Sequence, residues 1–265
     1  MPRLKTPLEI YKLLPKSNCG QCYVPTCLAF AAAVIKGDKQ LNDCPHLQGT
    51  SDEITEKIDT RAPLEATREE HLASLKSQLP AVDFSLATQR LGAHLAGDKL
   101  AVKSLGKDFF VDQQGNVSSE CHTHAGLTIP LLSYIIHSKG GNLSGDWVPF
   151  RELHNGDPMN PLFVQRAEKP LKKIADTHTD LFEDLISIFS GKRSTNQFGS
   201  DVSLIMYPLP KMPILICYWK PEEGMESALN FFFDSSAVNH LSIESIYALG
   251  AGLVMMFEKI VRKHS

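Results

Sequence analysis

The apolar positions along the chain change period several times, and each change predicts an element. Leu8, Tyr11, Leu13 and Leu14 lie on one side of a short helix that starts at Pro7 after a capping Thr6 and stops at Pro15. A second helix is expected over Cys27–Lys36, rich in alanine, with Thr26 as N-cap and Gly37 as C-cap. From Thr50 to Pro63 the periodicity fades into a polar connector. A helix then runs from about Leu64 to Leu79 and ends at Pro80, and Asp83 to Leu95 predicts another short one. Beyond it the pattern turns to strands. Leu100–Leu105 and Asp108–Asp112 predict a pair, with Gln114-Gly115-Asn116 turning into Val117-Ser118.

Leu127–Ile136 predicts a helix despite Pro130, ended by the glycines after His137. An aromatic loop follows over Gly145–Leu153. Helices are expected over Pro161–Ala175, bent at Pro170, and over Asp180–Phe189. Asp201–Tyr207, Pro213–Trp219 and Asn230–Asp234 predict the main sheet. Ser242 caps a final helix, with Leu241 and Ile246 as its staple and Ile246, Leu249, Leu253, Phe257 and Ile260 as its buried stripe. The fold class is therefore α+β: a small helical module, then a larger domain with a mainly antiparallel sheet and packed helices. The expected domains are residues 1–49, a helical linker over 50–82, and an α+β domain over 83–265.

Composition narrows the classes of function. The 265 residues are 43% hydrophobic and 22% charged, as in soluble globular proteins. A formal net charge of −3 with dispersed basic residues gives no electrostatic footprint for nucleic acid. No apolar signal region precedes the cysteines. The most apolar late stretch, Ile243–Val261, carries Glu244, Glu258 and Lys259, so a docked helix is expected there, not a membrane span. A reducing cytoplasm is the expected location for open thiols.

Four of the six cysteines lie close together, as Cys19, Cys22, Cys27 and Cys44, spaced C-x2-C-x4-C-x16-C, with Pro45 after the last. Thiolates are soft ligands that select iron–sulfur clusters, zinc or copper, and cysteine followed by proline is common at four-iron sites. A [4Fe–4S] cluster is the leading reading. A structural zinc site held by the same four cysteines is the alternative, although zinc sites more often use two short pairs. Cys27 falls in the first turn of its helix, where the dipole favours a thiolate. His46 follows Cys44 closely enough to donate a hydrogen bond near a cluster sulfur as a tuning group. Cys217 sits in an apolar run and reads as an inert buried thiol, and Met255-Met256 reads as core. The candidates for a second site are Cys121, His122 and His124, or Trp147, Arg151 and Glu152. No dinucleotide fingerprint, phosphate loop, H-E-x-x-H or serine elbow is present.

These cysteines, with Asn18, Gly20, Gln21, Thr26-Cys27-Leu28-Ala29-Phe30-Ala31 and Pro45, resemble the four-iron module of the corrinoid iron–sulfur protein large subunit over about Leu13–Leu47. The resemblance implies Cys19, Cys22, Cys27 and Cys44 as cluster ligands and low-potential electrons delivered to a corrinoid protein. Tyr23 departs from the glycine often found there. Gly145–Leu153, Pro210-Lys211-Met212-Pro213 and Phe233-Asp234-Ser235-Ser236-Ala237 resemble a prokaryotic domain family of unknown function that is often fused behind such modules. No D-x-H-x-x-G cobalamin loop is visible. The expected function is one-electron transfer to a bound cofactor or a redox partner protein, linked to corrinoid or one-carbon metabolism. The alternatives are a redox enzyme with a second cofactor, corrinoid or haem, or a substrate site in the larger domain, and a non-redox protein with a structural four-cysteine zinc site.

Overall fold

Pro7 begins helix α1 (Pro7–Leu13), and its seven residues turn Ile10 inward with Leu14 one turn further on. Leu8 and Leu13 face solvent at 62% and 40% exposure, so the expected apolar side is narrower than the sequence implied. In the computed structural model, residues 7–36, 39–47, 63–120, 125–178, 180, 184, 186, 188–195 and 197–264 are described. Thr6 and Gly37, the expected caps, lie outside them. The chain divides into two units, Met1–Ala73 and Ser74–Ser265.

In the first unit, helix α2 (Cys27–Lys36) starts where Thr26 Oγ1 accepts the Ala29 N–H at 3.1 Å. Its buried residues are Cys27, Phe30, Ala31 and Val34, spaced as one helical face. They pack with Ile10, Leu14, Cys22, Leu41 and Cys44 into the core of this unit. Helix α3 (Pro63–Gln78) contains the division between the units, and it closes in a 3-10 turn at Leu79–Ala81 in the second unit.

In the second unit, Asp83 Oδ1 caps helix α4 (Phe84–Leu91) by accepting the Ser85 N–H at 2.8 Å and the Leu86 N–H at 3.2 Å. The helix was expected to reach Leu95, but Gly92 takes a left-handed φ of 64° and ends it. The chain then enters a four-stranded antiparallel sheet: β1 (His94–Ala96), β2 (Lys99–Ser104), β3 (Lys107–Val111) and β4 (Val117–Ser118), in sequence order.

Helix α5 (Ala125–His137) leads to a five-stranded antiparallel sheet of β5 (Trp147–Pro149), β6 (Lys192–Arg193), β7 (Val202–Leu209), β8 (Met212–Trp219) and β9 (Ala228–Asp234). Its order is β5-β9-β8-β7-β6. The aromatic stretch read as a loop thus supplies edge strand β5, with Trp147 opposite Asp234.

The helix expected to bend at Pro170 is instead α6 (Asn160–Phe163), a π-helical turn (Val164–Glu168) and α7 (Lys169–Thr177). The irregularity precedes the proline. Pro170 has no N–H to give back to the previous turn, and the Lys169 N–H reaches Val164 in a wider ring. Half of the helix expected over Asp180–Phe189 lies outside the described residues.

Phe150 stacks on Phe163 at 4.3 Å, and Phe231 and Phe233 meet Phe163 edge-on. The final helix α8 (Ile243–His264) buries Ile246, Leu249, Leu253 and Phe257 against this core. Ile260 is only partly covered and Met255 is 50% exposed, so the methionine pair is not core. Each unit has its own core, and the whole is α+β.

Candidate functional site

The four cysteines of the first unit line one small cavity with Leu14, Val24, Phe30 and His46. Three different pieces of backbone bring them there. Cys19 and Cys22 lie in a loop of strained turns: Asn18 at φ 49°, Gly20 at 71° and Tyr23 at 59° are all left-handed, and the Tyr23 N–H closes on the Gly20 carbonyl at 2.9 Å. Cys27 is the first residue of α2. Cys44 sits between two 3-10 turns, Leu41–Asp43 and Pro45–Leu47, donating to Leu41 O and accepting from the Leu47 N–H, both at 3.1 Å.

Cys22, Cys27 and Cys44 are buried, Cys19 is exposed, and all four are free thiols. His46 Nε2 lies 3.6 Å from Cys19 Sγ, so its position next to the cysteines is spatial as well as sequential. The Gln21 backbone N–H and the Ser17 side chain, with a smaller contribution from His46, hold the Cys19 thiol down at about 7 against a small effect of burial. A thiolate is the form that binds metal. Among the described residues no three His, Cys, Asp or Glu side chains converge as a ligand set for one metal ion. All four cysteines line the same cavity.

The second unit contains features the sequence reading did not place. The three segments that carry the resemblance to the domain of unknown function meet at the loop between α5 and β5. Asp234, 2% exposed, accepts from the Ser144 N–H and hydroxyl through Oδ1 at 3.0 and 2.8 Å and from the Gly145 N–H through Oδ2 at 2.8 Å. Lys211 Nζ donates to Gly141 O at 2.7 Å. His240 is buried beside the same loop, its Nδ1 2.9 Å from the Ser138 hydroxyl. Burial, reinforced by Lys211 and opposed by Asp234, keeps its imidazole below the ordinary value. The D-S-S sequence after a strand was the available signal for this junction.

Of the candidate second-site residues, Cys121, His122 and His124 lie outside the described residues. Trp147 is partly buried in β5. Arg151 and Glu152 form a 3.8 Å ion pair with more than half of each side chain exposed. Glu168, in the π-helical turn, is a buried carboxyl raised by desolvation against the Phe231 N–H, Asn230 and Arg151. A separate open cavity is lined by Lys172, Asp176, Asp180, Tyr218, Lys220 and Glu226, and includes none of the predicted residues. There Tyr218 donates to Asp176 at 2.8 Å. Cys217 is fully buried in β8, and burial pushes its thiol up, as expected of an inert core cysteine. No helix among the described residues is long and apolar enough to cross a membrane.

Comparison with known proteins matches two separate stretches of the chain. Residues 14–46 match the family described as "Putative Fe-S cluster". The corrinoid/iron-sulfur protein large subunit of Moorella thermoacetica is 51% identical over 57 residues, which are 22% of this chain and 12% of that protein. The acetyl-CoA decarbonylase/synthase complex subunit gamma of Methanothermobacter thermautotrophicus is 40% identical over 62 residues, 23% of this chain and 14% of that protein. A gamma 1 subunit of the same complex from Methanosarcina thermophila is 49% identical over 45 residues, 17% and 10% of the two chains. The chain therefore spans only about a tenth to a seventh of the length of these relatives. No solved structure matches it. The larger match covers residues 83–256, more than half of the chain, and on it the protein belongs to the family described as Domain of unknown function (DUF3786).

Proposed function

We propose that the chain is an electron carrier in which Cys19, Cys22, Cys27 and Cys44 hold one [4Fe–4S] cluster and the DUF3786 domain receives a redox partner, a corrinoid protein of one-carbon metabolism. The observation that carries this reading is the gathering of four free thiols, and of no disulfide among them, around one mostly apolar cavity. The donor set fits the group. Four thiolates suit a four-iron cluster or one zinc ion, and the wide spacing before Cys44 with Pro45 after it favours the cluster. When bound, a cluster with four cysteine ligands supplies one-electron transfer.

The chain's own residues have defined tasks in this reading. Leu14, Val24 and Phe30 exclude water from the cavity wall. Cys19, the exposed thiol, lies on the side where an electron enters or leaves, and His46, with Nε2 3.6 Å from its sulfur, is placed to tune it. The similarity to these relatives supports the corrinoid link, since one of them is itself a corrinoid/iron-sulfur subunit.

The test is anaerobic. Protein reduced by dithionite is examined by electron-spin resonance, freed of reductant and mixed with cob(II)alamin. The proposal predicts a reduced-cluster signal that is lost as the spectrum of cob(I)alamin appears, one electron leaving the cluster and one entering cobalt. A reducible cluster that never reduces the corrinoid removes the corrinoid partner from the account. Absence of any reducible centre removes electron transfer.

A further inference from the structure

Asn18, the residue before the first cysteine, makes two bonds to Cys27, nine positions later. Its side-chain Oδ1 accepts the Cys27 backbone N–H at 2.8 Å, and its own backbone N–H donates to Cys27 Sγ at 3.4 Å. Both depend on the left-handed φ of 49° at Asn18, a region that asparagine enters more readily than most side chains.

The first N–H groups of a helix have no partner within it. In α2 the Thr26 hydroxyl is occupied by Ala29, and the first backbone bond runs from the Phe30 N–H to Thr26 O at 2.9 Å. The Cys27 N–H therefore depends on Asn18. Cys27 is only 7% exposed, so water does not readily replace a lost partner. The second bond bears on the sulfur itself, because an N–H donor stabilises negative charge on a thiolate and on a cluster attached to it.

We infer that Asn18 is a positioning residue for Cys27: it fixes the entry of α2 against the cysteine loop, orients the thiol toward the cavity and raises the reduction potential of the site. The inference rests on the reading that the four cysteines hold a cluster. Its residue requirements are specific. Glycine keeps the left-handed turn and the backbone N–H but lacks the acceptor; aspartate keeps the acceptor and adds a negative charge.

Asn18→Gly and Asn18→Asp in the full chain test it with two readouts. In metal-free, reduced protein, iodoacetamide labelling of Cys27 is followed by peptide mass spectrometry, with Cys22 of the same chain as the internal reference. Labelling of Cys27 is expected to be about tenfold faster in Asn18→Gly, the change that corresponds to one lost hydrogen bond, and no faster than wild type in Asn18→Asp. In the anaerobically loaded protein, the midpoint potential is expected to stay close to wild type in Asn18→Gly, which keeps the backbone N–H, and to fall in Asn18→Asp, which adds a negative charge. Wild-type labelling in Asn18→Gly, faster labelling in Asn18→Asp, or one unchanged potential across all three proteins overturns the inference. A wild-type protein that takes up no iron and sulfide overturns the cluster reading instead, and the labelling comparison still decides the positioning role.

Discussion

A buried carboxylate is stable only if its neighbours replace the water it has lost, and Asp234 shows how completely a loop can do this. Burial alone raises its pKa, but the Ser236 side chain and the backbone N–H groups of Ser144, Gly145 and Ser236 outweigh that and hold it at about 2. The folded-state pKa is depressed, so the stabilisation is present above the unfolded value and is lost as pH falls through the folded one. Unfolding of the larger domain is expected to become easier between about pH 4 and pH 2, by about 2 kcal/mol from this group. Asp234→Asn is expected to cost a similar ~2 kcal/mol at neutral pH and to flatten that acid limb; denaturant melts across the pH range measure both. At the candidate centre, His46→Ala removes a group 3.6 Å from Cys19 Sγ and is expected to lower the midpoint potential, read by a spectroscopic redox titration; an unchanged potential rejects His46 as a tuning group. The cysteines and His46 were legible because thiol spacing carries chemical meaning by itself. Asn18 and Asp234 were not, because their roles depend on a left-handed turn and on a strand pairing that bring together groups up to 90 positions apart.

Elements were most legible where one period ran for several turns. Helix α2 begins where Thr26 predicted, and Cys27, Phe30, Ala31 and Val34 share its inner face because the sequence repeats at helical spacing. The long strands β7, β8 and β9 follow their apolar runs. Short elements escaped. Strand β5 has three residues and β6 two, lengths at which pairing with an existing strand decides the conformation and propensity does not. The wide turn at Val164–Glu168 left no mark except Pro170, which displaced the expected bend in the chain. One close helix contact gives a prediction at this scale. A Cβ on Gly252 of α8 lies 2.9 Å from the backbone oxygen of Gly126 in α5, where no flexible side chain can yield. Gly252→Ala is therefore expected to destabilise the larger domain by about 1–3 kcal/mol, seen as a drop of several degrees in Tm.

For the whole molecule, the division into two units has a thermodynamic consequence. The core of the first unit consists of Ile10, Leu14, Phe30, Ala31, Val34, Leu41 and three of the candidate ligands, Cys22, Cys27 and Cys44. A core that small is marginal without a metal, so on the proposed reading cluster binding is expected to add to the stability of this unit. The second unit has its own aromatic core. Removing iron with a chelator is expected to speed amide exchange over residues 14–47 and to leave the strands over 202–234 protected, which hydrogen-exchange mass spectrometry resolves. Sequence reading reached the α+β class through its strands and helices. It did not reach the junction around Asp234 or the cavity at Asp176 and Tyr218, which exist only once distant strands are paired. The central claim is that the four thiols hold an iron–sulfur cluster. Its most direct test is the iron, acid-labile sulfide and zinc content of anaerobically prepared protein. The account predicts about four iron and four sulfide per chain; about one zinc with no sulfide contradicts it.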